Sequence, residues 1–288
     1  MEYLIHLAII FAIYAILSLS LNLVVGYTGM ISITHAAFFG IGAYATAILT
    51  TEFGFDFFLS ALLGVTITAP LAFFIGLVFN RLSGDYYVLG TVGFNAILVS
   101  IFLNWQNLTR GALGIPGIPR PEVLSFSLSS NFSFLISSAL FLIITFLVSR
   151  FISKSSFGRA LKAIREDEKA IQVFGFNTPL YKTFVFVIAA SIASLAGSLL
   201  ASYLSFIDPS NFTVLESVFI FSIVILGGAA SLRGSLLGAL ILVLLPELLR
   251  FVGFPTEIAA QARQAIYGLI LILLMLYRPQ GLIGEYKL

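Results

Sequence analysis

The run YLIHLAIIFAIYAILSLSLNLVV, residues 3–25, contains no aspartate, glutamate, lysine or arginine. A cleavable leader would open on basic residues and end its apolar core at a small-residue cleavage site. Here only Met1 and Glu2 precede the run, and it continues past Leu23 without such a site. It reads as a membrane span that stays in the protein. About 20 mostly apolar residues suffice to cross roughly 30 Å of hydrocarbon as a helix.

The same window recurs at 30–50, 57–79, 86–104, 132–150, 182–205, 235–252 and 258–277. One further apolar segment, VLESVFIFSIVIL at 214–226, is too short to span comfortably and is followed by GGAASLRGS. It is expected as a tilted or broken helix finished inside the protein, where exposed backbone can find partners. The fold class is therefore all-α: a polytopic transmembrane helical bundle of eight to ten segments, some short or broken. Composition agrees. Hydrophobic residues make up 59% of the 288 and charged residues only 10%, against roughly a quarter charged in ordinary soluble domains. A net charge of +2 gives no reason to expect nucleic acid. The absence of cysteine excludes disulfides and thiolate chemistry, and two histidines, His6 and His35, are too few for a histidine-rich metal site.

Basic residues divide unequally between the two faces. Arg81, Arg150, Lys154, Arg159, Lys162, Arg165, Lys169, Lys182, Arg233, Arg278 and Lys287 fall on one, and Arg110, Arg120, Arg250 and Arg263 on the other. The richer face is expected to be cytoplasmic. The amino terminus then lies outside and the carboxyl terminus inside.

The cytoplasmic loop contains SFGRALKAIREDEKAI, residues 156–171. Phe157, Ala160, Leu161, Ile164 and Ile171 recur at helical spacing, while Arg159, Lys162, Glu166 and Lys169 occupy the other face. Ser155 or Ser156 can cap the start, Gly175 suits the end, and Pro179 blocks continuation. This is an amphipathic helix beneath the membrane. It reads either as a solvated connector held to anionic headgroups or as a docking element whose apolar stripe enters a partner's groove. The acidic succession Glu166, Asp167, Glu168 favours docking.

Several stretches resemble the LivM-type permease subunits of branched-chain amino acid ABC importers. They are LNLVVGYTGMISITHAAFFGIGAYATAIL (21–49), RLSGDYYVLGTVGF (81–94), GALGIPGIPRP (111–121), SFGRALKAIREDEKAIQVFGFN (156–177), VILGGAASLRGSLLGAL (224–240) and LPELLR (245–250). The resemblance implies one permease domain over residues 1–288 with a coupling loop at about 150–181. It also implies a sister LivH-type permease, two cytosolic ATPase subunits carrying ATP and magnesium, and an extracytoplasmic substrate-binding protein. No cofactor or metal is expected in this chain, which would sit among lipid in a prokaryotic inner membrane. Phe157, Arg159, Leu161, Ile164, Arg165, Glu166, Asp167, Glu168 and Gly175 are the expected ATPase-coupling residues. Related permeases carry urea, amides or other amino acids, which remain alternatives for the substrate.

Asn22, His35, Tyr44, Tyr87, Thr91, Asn95 and Glu216 place polar groups within or beside spans, and are candidates for the translocation path. His35 reads equally as a buried histidine beside a helix start, and the tyrosines as interface anchors. Glu247 is expected to pair with Arg250 one turn on. Ala36, Gly40, Ala43 and Ala47 share a helix face suited to close packing, as do Gly227, Gly228 and Gly238 in the second glycine-rich stretch. GGAASLRG (227–234) lacks the GxxxxGK[ST] spacing of a phosphate loop. Two rival functions are an ion-coupled secondary transporter, for which Glu216 and Glu247 are the carboxylates at hand, and a membrane enzyme, which lacks a catalytic cluster.

Overall fold

The computed structural model describes residues 2–123, 126–127, 130–251, 265–266, 268–269, 272–273, 276–277 and 280–284. In chain order the helices are α1 (Glu2–Thr28), α2 (His35–Thr51), α3 (Phe57–Phe79), α4 (Asp85–Asn104), α5 (Gln106–Thr109), α6 (Asn131–Lys154), α7 (Ser156–Glu166), α8 (Glu168–Val173), α9 (Thr178–Leu204), α10 (Val214–Gly227) and α11 (Leu232–Phe251). Among the described residues α1, α3, α4, α6 and α9 are each long and apolar enough to cross a membrane alone. The window expected at 258–277 falls largely outside the described residues. The described pairs from 265 to 277 are helical.

Where a span sits in the bundle follows from its side chains. In the most apolar windows of α1 and α9, 56% and 67% of residues are buried, against 28% in α3 and α6. The first two therefore form the centre together with α2, and the others form the rim. Small residues permit that centre. A side chain at Gly197 in α9 would sit 2.8 Å from the Ala43 backbone nitrogen in α2, and one at Gly42 would sit 2.5 Å from the Ser194 Cα. Gly40, expected at a helix–helix seam, instead faces the rings of Phe102 and Phe212.

Long-range bonds sort the helix ends onto two faces. On one, Asn80 Nδ2 donates to Pro179 O at 2.9 Å, Lys162 lies over the Tyr27 ring at 5.4 Å, and Arg165 donates to Gly26 O. On the other, His6 Nδ1 lies 2.6 Å from Tyr203 Oη, Asn131 donates to Glu2, and Tyr3 donates to Glu247. The side chain of Arg250, expected partner of Glu247, lies outside what is described.

Short strands modify the all-α expectation on this second face. β1 (Ile115–Pro116) pairs antiparallel with β4 (Phe206–Ile207), and β2 (Glu122–Val123) with β3 (Phe126–Ser127). Gly114 and Gly117 flank β1 at φ 69 and 78, turning the chain in and out of the pairing. On the first face, Leu282 N donates to Leu226 O at 2.9 Å and Ile283 N to Gly227 O at 3.0 Å. Those bonds satisfy carbonyls at the carboxyl end of α10 that its own helix leaves open.

Candidate functional site

Two spans are broken, and their breaks meet. Residues 29–34 carry no helix, although hydropathy places them in the second span. Gly29 leaves α1 at φ 73. Side chains then carry the segment inward. Ile33 N donates to Thr91 Oγ1 at 3.2 Å, the Ser32 and Thr34 hydroxyls lie 2.9 Å apart, and Tyr87 bonds to Ser32. Helix α2 therefore begins at His35 rather than near residue 30. From the opposite face the chain leaves α9 at Leu204, passes through β4 and the 3-10 turn Pro209–Phe212, and starts α10 at Val214. Phe212 plugs this route, with its ring 5.4 Å from Phe39, 5.9 Å from Tyr44 and 6.3 Å from Phe102.

The two helix starts are tied together at Ser217. Its Oγ accepts from Ala36 N and from Asn95 Nδ2, each at 3.0 Å. One residue away, Glu216 accepts a 2.5 Å hydrogen bond from Tyr14 Oη. Tyr14 and Asn95 stand at the middle of α1 and α4. The first turns of α2 and α10 thus converge at mid-depth. In membrane transporters, discontinuous helices that begin at mid-depth commonly border the substrate site. Both ring nitrogens of His35 and the Asn95 Oδ1 are buried without a partner among the described residues. A buried polar group without a partner is destabilising by about 1–3 kcal/mol, so this centre is polar beyond what packing asks.

Of the expected path residues, Asn95 bonds Ser217, Thr91 and Tyr87 bond the 29–34 segment, His35 opens α2, and Glu216 turns to Tyr14 on α1. Tyr44 lies beside Phe212 on the outer part of α2. Asn22 is elsewhere. Its amide accepts from Ala230 N at 2.9 Å and donates to Ser231 O at 3.0 Å and Ser235 Oγ at 2.7 Å, clasping the α10–α11 turn. In that turn, side chains at Gly227 and Gly238 would collide with the facing helix backbone, and Gly228 needs φ 112. Tyr14 and Ser217 were not singled out by the sequence reading.

The charged segment forms two helices, not one. Asp167 breaks them at φ −152 and caps α8 by accepting from Ala170 N at 3.0 Å, just as Ser155 caps α7 by accepting from Gly158 N at 3.2 Å. The apolar stripe does not face outward. Leu161 is 0% exposed and Ile164 is 4%, and Leu161 packs in one cluster with Leu23, Tyr27, Val185 and Ala230. Amphipathy reports that a face is covered, not by what; here the chain covers its own. Phe157 stacks on Tyr181, its centroid 5.4 Å away. Arg159, Glu166 and Asp167 face outward, while Arg165 is spent on α1. Glu168 bonds Lys182 Nζ with both oxygens at 2.9 Å, pinning α8 to α9. Beyond it, Val173 is 86% exposed, Phe174 77% and Phe176 43%, around Gly175 at φ 85. Three apolar side chains are thus exposed at a polar-flanked turn, where the stripe itself is not. The signal was present as QVFGFN (172–177).

A bundle of spans with two interrupted helices meeting at mid-depth, and a helical hairpin fastened beneath it, defines a multi-pass membrane transport subunit. The chain belongs to the branched-chain amino acid transport system / permease component family, matched over residues 3–276. It is 33% identical to the high-affinity branched-chain amino acid transport system permease protein LivM of Escherichia coli K12, over 97% of this chain and 69% of that one. It is 27% identical to the probable branched-chain amino acid transport permease protein LivM of Methanocaldococcus jannaschii, over 96% and 91%. The LivH permease of Salmonella typhimurium is similar too, 28% identical over 94% of this chain and 91% of its own. No solved structure matches the chain.

Proposed function

We propose that this chain is the membrane-spanning subunit of an ATP-driven importer that moves branched-chain, hydrophobic amino acids inward. It pairs with a LivH-type sister permease, receives substrate from an extracytoplasmic binding protein, and is driven by two cytosolic ATPases that hold ATP and magnesium. The face carrying α7 and α8 is cytoplasmic, on the lysine and arginine asymmetry, and the amino terminus is external. The names of the relatives support the substrate class.

One observation supports the drive mechanism above others. The α7–α8 hairpin grips α1 and the α10–α11 turn through Leu161 and Arg165, and leaves Val173, Phe174 and Phe176 to water. A partner seated on those three side chains would move the hairpin as a unit, and α1 and α10 lead from it to the junction at Ser217. The test is uptake of radiolabelled leucine into proteoliposomes holding both permeases and both ATPases, with binding protein supplied on the outward-facing side. Uptake should require ATP and magnesium on the opposite side. Uptake driven by a proton or sodium gradient without ATP would overturn the reading.

A further inference from the structure

Glu216 stands in a cleft of about 610 Å³ between α1, α10 and α11. That volume lies within the roughly 300–1,000 Å³ of small-molecule sites. The cleft is walled by Ile10, Tyr14, Phe219, Leu242 and Val243, with Leu215 at 64% exposure marking where it opens on the surface of the chain. An ionised side chain at this depth is expensive unless a partner compensates it. Glu216 Oε1 accepts from Tyr14, and among the described residues no lysine or arginine pairs with the carboxylate. We propose that this cleft is a binding site for an aliphatic amino acid in transit, with Glu216 taking the substrate's ammonium group.

The chemistry of the walls selects that ligand. A carboxylate with one oxygen already hydrogen-bonded keeps acceptor capacity for the donors of an ammonium. The Tyr14 and Phe219 rings meet edge to face at 5.3 Å beside it and add apolar wall. Ile10, Leu242 and Val243 offer the apolar surface a branched side chain would cover. A bare divalent ion would need several charged oxygens, whereas beside the neutral hydroxyls of Ser210, Thr213 and Ser222 the described lining holds one carboxylate, Glu216. The substrate carboxylate would point toward the start of α10, where Thr213 makes no side-chain capping bond.

The inference rests on the amino-acid reading of the function, and its test separates the two. Single-cysteine Leu215→Cys permease, purified with its sister subunit and ATPases but without binding protein, is labelled by a maleimide. The additions are L-leucine, isoamylamine, which keeps the ammonium and side chain, or 4-methyl-2-hydroxypentanoate, which has a hydroxyl in place of the ammonium. Leucine and isoamylamine should slow labelling at least threefold and the hydroxy acid should not. Glu216→Gln should abolish the protection and Glu216→Asp should retain part of it. Equal protection by the hydroxy acid, or protection undiminished in Glu216→Gln, overturns the site. Uptake provides an independent arm without the cysteine: Glu216→Gln should slow leucine transport at least tenfold at unchanged complex yield. Wild-type uptake rates in Glu216→Gln would remove the site while leaving the importer intact. Failure of wild-type leucine uptake would instead remove the functional reading.

Discussion

Asn22 and Ala230 are joined by a hydrogen bond from the Ala230 amide to Asn22 Oδ1 at 2.9 Å. It holds Ala230, at φ 62, in the left-handed region that residues with a Cβ avoid. The Nδ2 of Asn22 donates to Ser231 O and Ser235 Oγ. Replacing Asn22 by leucine keeps the branched shape but strands the Ala230 amide, at about 1–3 kcal/mol, while Ser231 O keeps its bond from Ser235 N. Asn22→Leu should therefore melt well below wild type in detergent. Asn22→Asp, which keeps the acceptor for Ala230, should fall in between. Equal melting for all three would show that the clasp is not needed to hold the turn.

The approach of α2 to α9 makes a second prediction. An alanine at Gly197 or Gly42 would drive a methyl into the backbone of the facing helix, whereas one at Gly64 would meet the Ala45 Cβ at an ordinary 3.5 Å. Gly197→Ala and Gly42→Ala should reduce the yield of monodisperse protein sharply, and Gly64→Ala should leave it near wild type. Size-exclusion profiles after identical expression make the comparison.

The hairpin divides into a buried half and an exposed half. Leu161→Ala removes a side chain with no exposure and should lower stability by about 2–5 kcal/mol. Val173→Ala and Phe174→Ala should leave the melting temperature unchanged while weakening ATPase recruitment. An interface anchor contributes about 2 kcal/mol or more, roughly thirtyfold in affinity. Co-purification with the ATPase, set beside thermal melts of the same preparations, reads both quantities. Undiminished recruitment by the Val173→Ala, Phe174→Ala double variant would mean that the turn touches no ATPase.

Topology is open to direct labelling because the chain has no cysteine. Glu52 and Lys169 are exposed, on connections from opposite faces. An impermeant maleimide added to intact cells should modify Glu52→Cys and spare Lys169→Cys, the pattern reversing in inside-out vesicles.

Two long spans were legible in the sequence nearly to the residue, whereas the windows 132–150 and 182–205 missed one end of α6 and α9 by four positions. The 57–79 window coincides with α3, and 86–104 differs from α4 by one position. Lipid leaves little choice there, since a run that apolar can only be a buried or membrane helix. The same measure misplaced the start of α2, because Ile31 and Ile33 are as apolar in an extended segment as in a helix, and hydropathy is blind to the backbone. Asn95 and Thr91 stood out as polar groups within a span. Ser217 and Tyr14 did not, since a lone hydroxyl on an apolar helix carries no mark of the partner that distant chain brings to it. The hairpin shows a similar gap. Leu161 was visible as part of an apolar stripe, but its neighbour Ala230 lies far along the chain.

The backbone bonds from Leu282 and Ile283 to the end of α10 also bear on how the molecule is made. A chain leaving the ribosome presents α10 and α11 to the membrane well before residues 282 and 283 have been polymerised. During that interval the Leu226 and Gly227 carbonyls lack their eventual donors, and the glycine-rich turn must rely on Asn22, which was inserted first. Synthesis of residues 282 and 283 therefore has to precede the sealing of a helix end laid down earlier. Messages stopped at codon 280 should yield inserted but protease-sensitive product, cut near residues 228–231, whereas full-length product resists.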